Sequence, residues 1–368
     1  PSDRQLRAGR PRADLPGDPV ADGARRVILE IGPRPYVATA YPETSLFFAT
    51  DPVAETPARA TTLSSLAALW VALGRADVEL IVCHPNFSAP GGVRALNRGI
   101  FSSRFLEGRS PLVRAFGPEL LRWRGRAPIV VIDHEDLPVI NRDNLFLLDR
   151  CALWFKRELP VDHWRVFLKT AHPQLPTPRF RTNPRHRAWV EKLRPISIGL
   201  PTTAEGLPPP SQPKTADIFF LARVADSSTA RSRGLAELRA LAAEGVVLDI
   251  PDAPLPRDEF YRRCAAAHLV WSPEGLGWDC FRHYEALACG AVPMINQPSI
   301  DRHAPLLAGE HALYYDPEPG GLTRAVLAAL RDKAALARIA EAGRAHVLAH
   351  HTPEAIARHV VETARGLR

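Results

Sequence analysis

Short apolar runs of strand length alternate along the chain with longer stretches whose apolar residues return every three or four positions. That alternation predicts βαβ units around mostly parallel sheets, an α/β protein. In the first half, Arg26–Ile31, Glu79–His84, Pro128–Asp133, Ala152–Lys156 and Pro195–Ile198 read as strands, and Thr62–Gly74 and Asn141–Leu148 as helices between them. The pattern then breaks at Gly199–Lys214, GLPTTAEGLPPPSQPK, which is too rich in proline to hold a helix or a central strand. A second series follows: strands at Asp217–Ala222, Val246–Ile250, His268–Ser272 and Ala291–Ile295, with helices at Arg231–Glu244, Arg257–Ala267 and Asp279–Cys289. Helices near Gly321–Arg331 and Ala334–His350 come next, and Thr352-Pro353-Glu354 is a capped helix start with proline in its first turn. The expected division is a flexible tail over residues 1–24, an N-terminal domain over 25–200, a linker over 201–214, a C-terminal domain over 215–351, and a last helix over 352–368 that packs back on the N-terminal domain.

Composition narrows the function classes. A chain of 368 residues with 46% hydrophobic and 24% charged side chains is a globular protein of two domains, not a disordered one. Its longest apolar runs, such as VELIVCH and PIVVID, fall far short of the roughly 20 residues that a membrane span needs. The polar, proline-containing start has no apolar centre of the kind a secretory signal carries. Cysteines 83, 151, 264, 280 and 289 are odd in number and form no CxxC pair, which speaks against a disulfide framework or a structural zinc site and fits a cytoplasmic location. The net charge of +7 sits in the first half, with 29 basic against 20 acidic residues up to position 200 and 18 against 20 after it. The arginines form no stripe interleaved with aromatics, so no nucleic-acid partner is expected.

The most informative stretch is Ser272–Gly290, SPEGLGWDCFRHYEALACG, where an apolar strand enters a Gly-x-Gly turn and then a helix. Gly275 and Gly277 permit close approach of backbone to a ligand, and Asp279 is placed as the helix N-cap, leaving first-turn amides for a phosphate. Arg282 and Glu285, three apart on one helix face, suit a diphosphate and a pair of ribose hydroxyls; the same spacing also suits an ordinary surface ion pair.

Taken with Phe281, Tyr284, Ala286, Leu287 and the following AVPMI, this string resembles the nucleotide-sugar-binding motif of exostosin-like and related bacterial glycosyltransferases of the family 1 type. The likeness covers about Asp217–His351 and is looser before it, where it rests on FKRELP, IDHED and SIGLP. The resemblance implies a GT-B fold, with two Rossmann-like domains facing a cleft, the nucleotide-sugar donor in the C-terminal one and a hydroxyl-bearing acceptor in the N-terminal one. It implies Gly275, Gly277, Asp279, Phe281, Arg282 and Glu285 as donor contacts, Arg223 in the first strand-to-helix turn as a further diphosphate contact, and no bound metal or other cofactor. The sequence departs from the family in one respect. Where many retaining enzymes carry a glutamate eight positions before the ribose-binding one, this chain has Gly277, with Glu274 three positions earlier.

In the first half, Asp133-His134-Glu135-Asp136 follows the strand PIVVI, where an α/β domain presents an active-site loop. His134 is read there as a base for the acceptor hydroxyl, with Asp133 and Asp136 orienting it; solvated loop charges are the alternative. His84 stands in the equivalent place after another strand, and Lys156 and Arg157 follow a third, where they would meet a diphosphate or an anionic acceptor. The expected activity is transfer of a sugar, UDP-linked by preference, to a hydroxyl. A sugar-nucleotide epimerase of the same fold and a non-catalytic nucleotide-binding protein are the alternatives.

Overall fold

The computed structural model describes residues 26–50, 63–85, 117–141, 144–172, 175–177, 184–203, 206–207, 212–224 and 228–367. The tail expected over residues 1–24 lies outside the described residues.

The first sheet is built from β1 (Val27–Gly32), β2 (Ser45–Ala49), β3 (Val78–Cys83), β4 (Ile129–Asp133), β5 (Leu153–Lys156) and, after a small antiparallel ribbon of β6 (Lys169–His172) and β7 (Leu175–Thr177), β8 (Leu193–Pro195). Its order is β2-β1-β3-β4-β5-β8, and every neighbouring pair is parallel. Alternate residues of these strands bury on opposite faces. Leu29, Ile31, Ile81 and Val131 face Leu69, Leu73 and Leu147, whereas Ile28, Leu80, Val82, Val130, Ile132 and Phe155 face the other way. Strands covered on both sides are the mark of parallel sheets, and they explain why these segments read as largely apolar runs.

The second sheet comprises β9 (Ala216–Phe219), β10 (Leu248–Asp249), β11 (Ala267–Trp271), β12 (Val292–Asn296) and β13 (Leu313–Tyr315), in the order β10-β9-β11-β12-β13, all parallel. Helices Thr229–Ala240, Arg257–Ala266, Phe281–Ala288, Gly321–Leu330 and Lys333–His350 accompany it. In each sheet the chain runs first to one side of its starting strand and then to the other. The reversal leaves a crevice beyond the strand C-termini, between β1 and β3 in the first sheet and between β9 and β11 in the second, which is where such sheets bind ligands.

The chain crosses between the two units twice. Ile196–Leu200 leads out of β8, with Gly199 at φ +64°, where an added Cβ would lie 2.5 Å from the His351 carbonyl oxygen. The Leu200 amide donates to that carbonyl at 2.8 Å, so the outward crossing is tied to the returning one. After the return, Thr352 caps helix Pro353–Arg365 by accepting from the Ala355 amide at 3.1 Å. Ile356, Ala357, Val360, Val361 and Ala364 of that helix bury against Ile28, Val82, Val130 and Phe155 of the first sheet.

Candidate functional site

At the crevice of the second sheet, the Arg282 guanidinium donates to the carbonyls of Leu221 and Pro273 at 3.2 and 3.3 Å, thereby bridging the exits of β9 and β11. It also lies over the Phe220 ring at 5.7 Å. Its Nε is buried with no hydrogen-bond partner among the described residues. Burial pulls this guanidinium below its ordinary pKa. Glu285 turns elsewhere: its Oε1 accepts from the Tyr261 hydroxyl at 3.2 Å, and burial raises its carboxyl above the usual range. Arg282 and Glu285 therefore do not form the surface ion pair that their spacing also allowed.

Above Arg282 the Gly275 amide closes a tight turn onto the Gly277 carbonyl at 2.8 Å. An added Cβ at Gly275 would lie 2.8 Å from Nη2 of Arg231, a buried cation from helix Thr229–Ala240. Arg231 also donates to the Arg223 carbonyl at 2.9 Å, whereas the Arg223 side chain is exposed. Arg231 is the residue that the sequence reading missed, since only the fold brings its helix turn over the glycine loop. Asn296, at the end of β12, was missed for the same reason; its amide grips the Glu274 backbone at 2.8 Å and the Glu274 carboxylate at 3.1 Å.

Helix Phe281–Ala288 begins two residues later than its sequence pattern suggests, with Cys280 at the N-cap position and no side chain capping it. Asp279 is not the cap. Its carboxylate accepts from the Ile198 amide and the Tyr284 hydroxyl, each at 2.6 Å, so it fastens the interdomain crossing to the helix. Phe281, at the first helical position, is exposed. His283 is fully buried and held neutral, pushed down to about 3 by burial. Its Nε2 is 2.8 Å from the Trp278 carbonyl, which can only accept, and its Nδ1 is 2.7 Å from the Ser272 hydroxyl, so it pins the strand exit to the loop.

Gly277 serves a neighbour from the other domain. The Glu158 carboxylate crosses the cleft and accepts from the Trp278 and Asp279 amides, both at 2.9 Å; a Cβ at Gly277 would lie 2.4 Å from its Oε1. Those two amides are thus filled by a carboxylate of the protein itself. At the crevice itself, the uncapped first turn of the helix and the Arg282 guanidinium beside it are groups whose chemistry suits an anion. The seam continues where the Asp301 amide donates to the Leu159 carbonyl at 2.7 Å.

On the first sheet the charged residues pair among themselves. Lys156 is fully buried with its Nζ 3.1 Å from Asp133 Oδ2, which also accepts from Trp154 Nε1 at 3.1 Å. Neither lies on an open cleft wall, which argues against a diphosphate contact for Lys156 and an orienting role for Asp133. Arg157 holds the His134 carbonyl at 2.9 Å, Asp136, and Glu158 at 3.3 Å, so it braces the loop rather than reaching toward a ligand. His134 consequently lacks the carboxylate partners expected to make it basic. Burial, His84 and Arg157 together push it down to about 3. Glu135, half-exposed beside these acids, is pushed up to about 7, chiefly by burial. The arrangement around His84 is different, with the buried Glu30 carboxylate 2.9 Å from its Nε2.

Residues 253–362 match a family model described as glycosyl transferase-like. Solved structures share the whole architecture. HepE from Anabaena, solved with UDP, superposes with a TM-score of 0.51 at 13% identity over 92% of this chain and 100% of that one. A glycosyltransferase from Rickettsia africae gives 0.53 at 9% identity over 93% and 98% of the two chains. A UDP-forming α,α-trehalose-phosphate synthase from Burkholderia vietnamiensis gives 0.51 at 11% identity over 93% and 99%. A search of curated protein sequences finds no match. At such identities the likeness is one of fold, and the fold is GT-B.

Proposed function

We propose that this chain is a glycosyltransferase that binds a nucleoside-diphosphate sugar, UDP-linked by preference, at the β9/β11 crevice and moves the sugar to a hydroxyl-bearing acceptor on the first domain. The observation that carries the reading is Arg282. A guanidinium held across the exits of β9 and β11, with a buried Nε lacking a partner and an uncapped helix start beside it, is built for an anion. Arg231 reaches the same loop and adds to that field. Glu285, one helical turn on, is placed to accept from ribose hydroxyls once it exchanges its Tyr261 bond. The family model over residues 253–362 and the UDP held by HepE support the same donor class. Once the sugar has left, the diphosphate carries the developing charge, and the arginines and helix amides stabilise it where it forms.

Thermal shift and calorimetry with UDP, GDP, dTDP, CDP and CMP test the reading. A ligand at 100 times its dissociation constant adds about 2.7 kcal/mol of stability. UDP is expected to give the largest shift. Arg282→Ala should weaken UDP far more than uridine, and Glu285→Ala should weaken both. Equal weakening of UDP and uridine by Arg282→Ala would refute the diphosphate assignment.

A further inference from the structure

The donor reading leaves unexplained a group of side chains at the other crevice, where β1 and β3 diverge. Glu30 lies on β1, Tyr36 in the turn after it, His84 directly after β3 and His134 directly after β4. The Glu30 carboxylate is wholly buried. It accepts from the amides of Tyr36 at 3.0 Å, Val37 at 3.1 Å and Ala38 at 2.8 Å, which fixes it rigidly, and its remaining close contact is His84 Nε2 at 2.9 Å. Of this pair only His84 reaches the surface, with 10% of its side chain exposed against 0% for Glu30. The His84 ring is seated against Gly32, where a Cβ would lie 2.5 Å from its Cδ2.

The Tyr36 and His134 rings enclose His84, with centroids 6.3 and 6.4 Å from it and 5.1 Å from each other. Tyr36 Oη and His134 Nε2 are both buried without a hydrogen-bond partner among the described residues. A buried polar group that nothing ever satisfies is costly, so two at one crevice point to hydrogen bonds that a ligand completes.

Resting on the donor reading above, we propose that His84, positioned by Glu30, is the base that takes the proton of the acceptor hydroxyl, and that Tyr36 and His134 hold the group bearing it. A carboxylate can only accept, so the His84 proton sits on Nε2 and the lone pair on Nδ1 faces away from Glu30. In the transfer step the acceptor oxygen bonds to the anomeric carbon of the sugar. The bond from that carbon to the diphosphate breaks, the nucleoside diphosphate leaves with the electron pair, and the hydroxyl proton passes to Nδ1. Attack opposite the leaving group inverts the anomeric configuration. The imidazolium formed is stabilised by Glu30, its one ionic partner among the described residues, with Tyr36 and the neutral His134 as the other titratable groups facing it there. His134 is excluded from the base role because its Nε2 has no partner among the described residues and Arg157 holds its carbonyl.

The test uses the full chain, with UDP-glucose, UDP-galactose and UDP-N-acetylglucosamine as donors and water or methyl glucoside as acceptor. His84→Ala should lower UDP release by about 10²–10⁴-fold while UDP affinity stays within about twofold. Free imidazole should restore part of the lost rate, which a structural role would not allow. Glu30→Gln should lower kcat by about 10–10²-fold with the donor KM within about twofold, with melting temperature reporting any cost from its amide bonds. Product analysis by NMR should show inversion. Retention of configuration, a His84→Ala rate within about threefold of the parent, or no imidazole rescue would each overturn the proposal while UDP still binds. So would the absence of UDP release from all three donors. Failure of the parent chain to bind UDP at all would instead overturn the donor reading.

Discussion

Replacing Gly277 with alanine should damage the molecule through Glu158. The added Cβ would lie 2.4 Å from Glu158 Oε1, 2.5 Å from its Cδ and 2.9 Å from Arg157 Nη2, all inside ordinary contact distance. The carboxylate has nowhere to retreat, because it accepts from two amides on one side at 2.9 Å each and from Arg157 at 3.3 Å on the other. Making room means losing one or both charge-assisted bonds, each worth about 1.5–3 kcal/mol. Burying that carboxylate is itself unfavourable, since burial pushes it up to about 7 despite Arg157. Part of the gross loss is therefore returned, and about 2–4 kcal/mol is expected for Gly277→Ala. Glu158→Ala should cost a similar amount and make space for the methyl group. Urea unfolding at pH 8, where Glu158 is ionised, can close the cycle: the double variant should fall short of the summed losses by about 1–3 kcal/mol. Additivity within about 0.5 kcal/mol would show that the glycine does not answer to Glu158. Loss of UDP affinity in Gly277→Ala that Glu158→Ala fails to restore would return the glycine to the phosphate.

Lys156→Met should cost about 3–5 kcal/mol by stranding Asp133 in the core, yet leave UDP affinity unchanged in any folded protein; a selective loss of UDP binding would restore Lys156 to the site. Stability should fall as pH drops below about 6.5, because His134, His283 and His351 are held below their unfolded values and the unfolded chain takes up more protons there. Glu135, Glu158, Asp279 and Glu285, raised by burial, bind protons in the folded state first and oppose this, so the decline should steepen below about pH 4, where the unfolded chain's carboxylates are protonated as well. A flat stability profile between pH 4 and 6.5 would contradict it. On the proposed donor site, where Arg282 and the helix start would neutralise the leaving diphosphate, UDP release should continue in EDTA; full inhibition reversed by magnesium or manganese would reassign the Asp133–Asp136 loop.

The α/β class was legible because both faces of β3 and β4 are covered, which leaves LIVC and IVVI as unbroken apolar runs. β2, SLFFA, was not singled out. It is an edge strand, and none of its residues is fully buried, so nothing in its pattern demands a sheet. β13, at the other sheet's edge, is only three residues long, too short for its pattern to mark a strand. β8 ends at Pro195 instead of beginning there, because the following Ile196–Leu200 is drawn away into the crossing. For the candidate site, the sequence singled out the Gly275–Glu285 segment because strand, glycine turn and helix are contiguous in it. It misjudged Asp279 and Gly277, whose partners Ile198 and Glu158 are 81 and 121 residues away for Asp279 itself. Local spacing cannot report a carboxylate arriving from the opposite domain. The same blindness hid Glu30, an acid inside an apolar strand whose purpose appears only when β3 brings His84 beside it.

The helix Pro353–Arg365 gives the order of synthesis a thermodynamic meaning. Its buried stripe of Ile356, Ala357, Val360 and Val361 seals one face of the first sheet, yet it is made after every residue of the second. While the chain is emerging from a ribosome, the first sheet holds Ile28, Leu80, Val82 and Val130 with that layer still missing, although domains ordinarily complete themselves in the order they are made. The second unit has its strands and helices in hand as soon as His350 has emerged. The domain begun first is therefore the one finished last, and until its final helix docks it carries an apolar face that can recruit chaperones or seed aggregation.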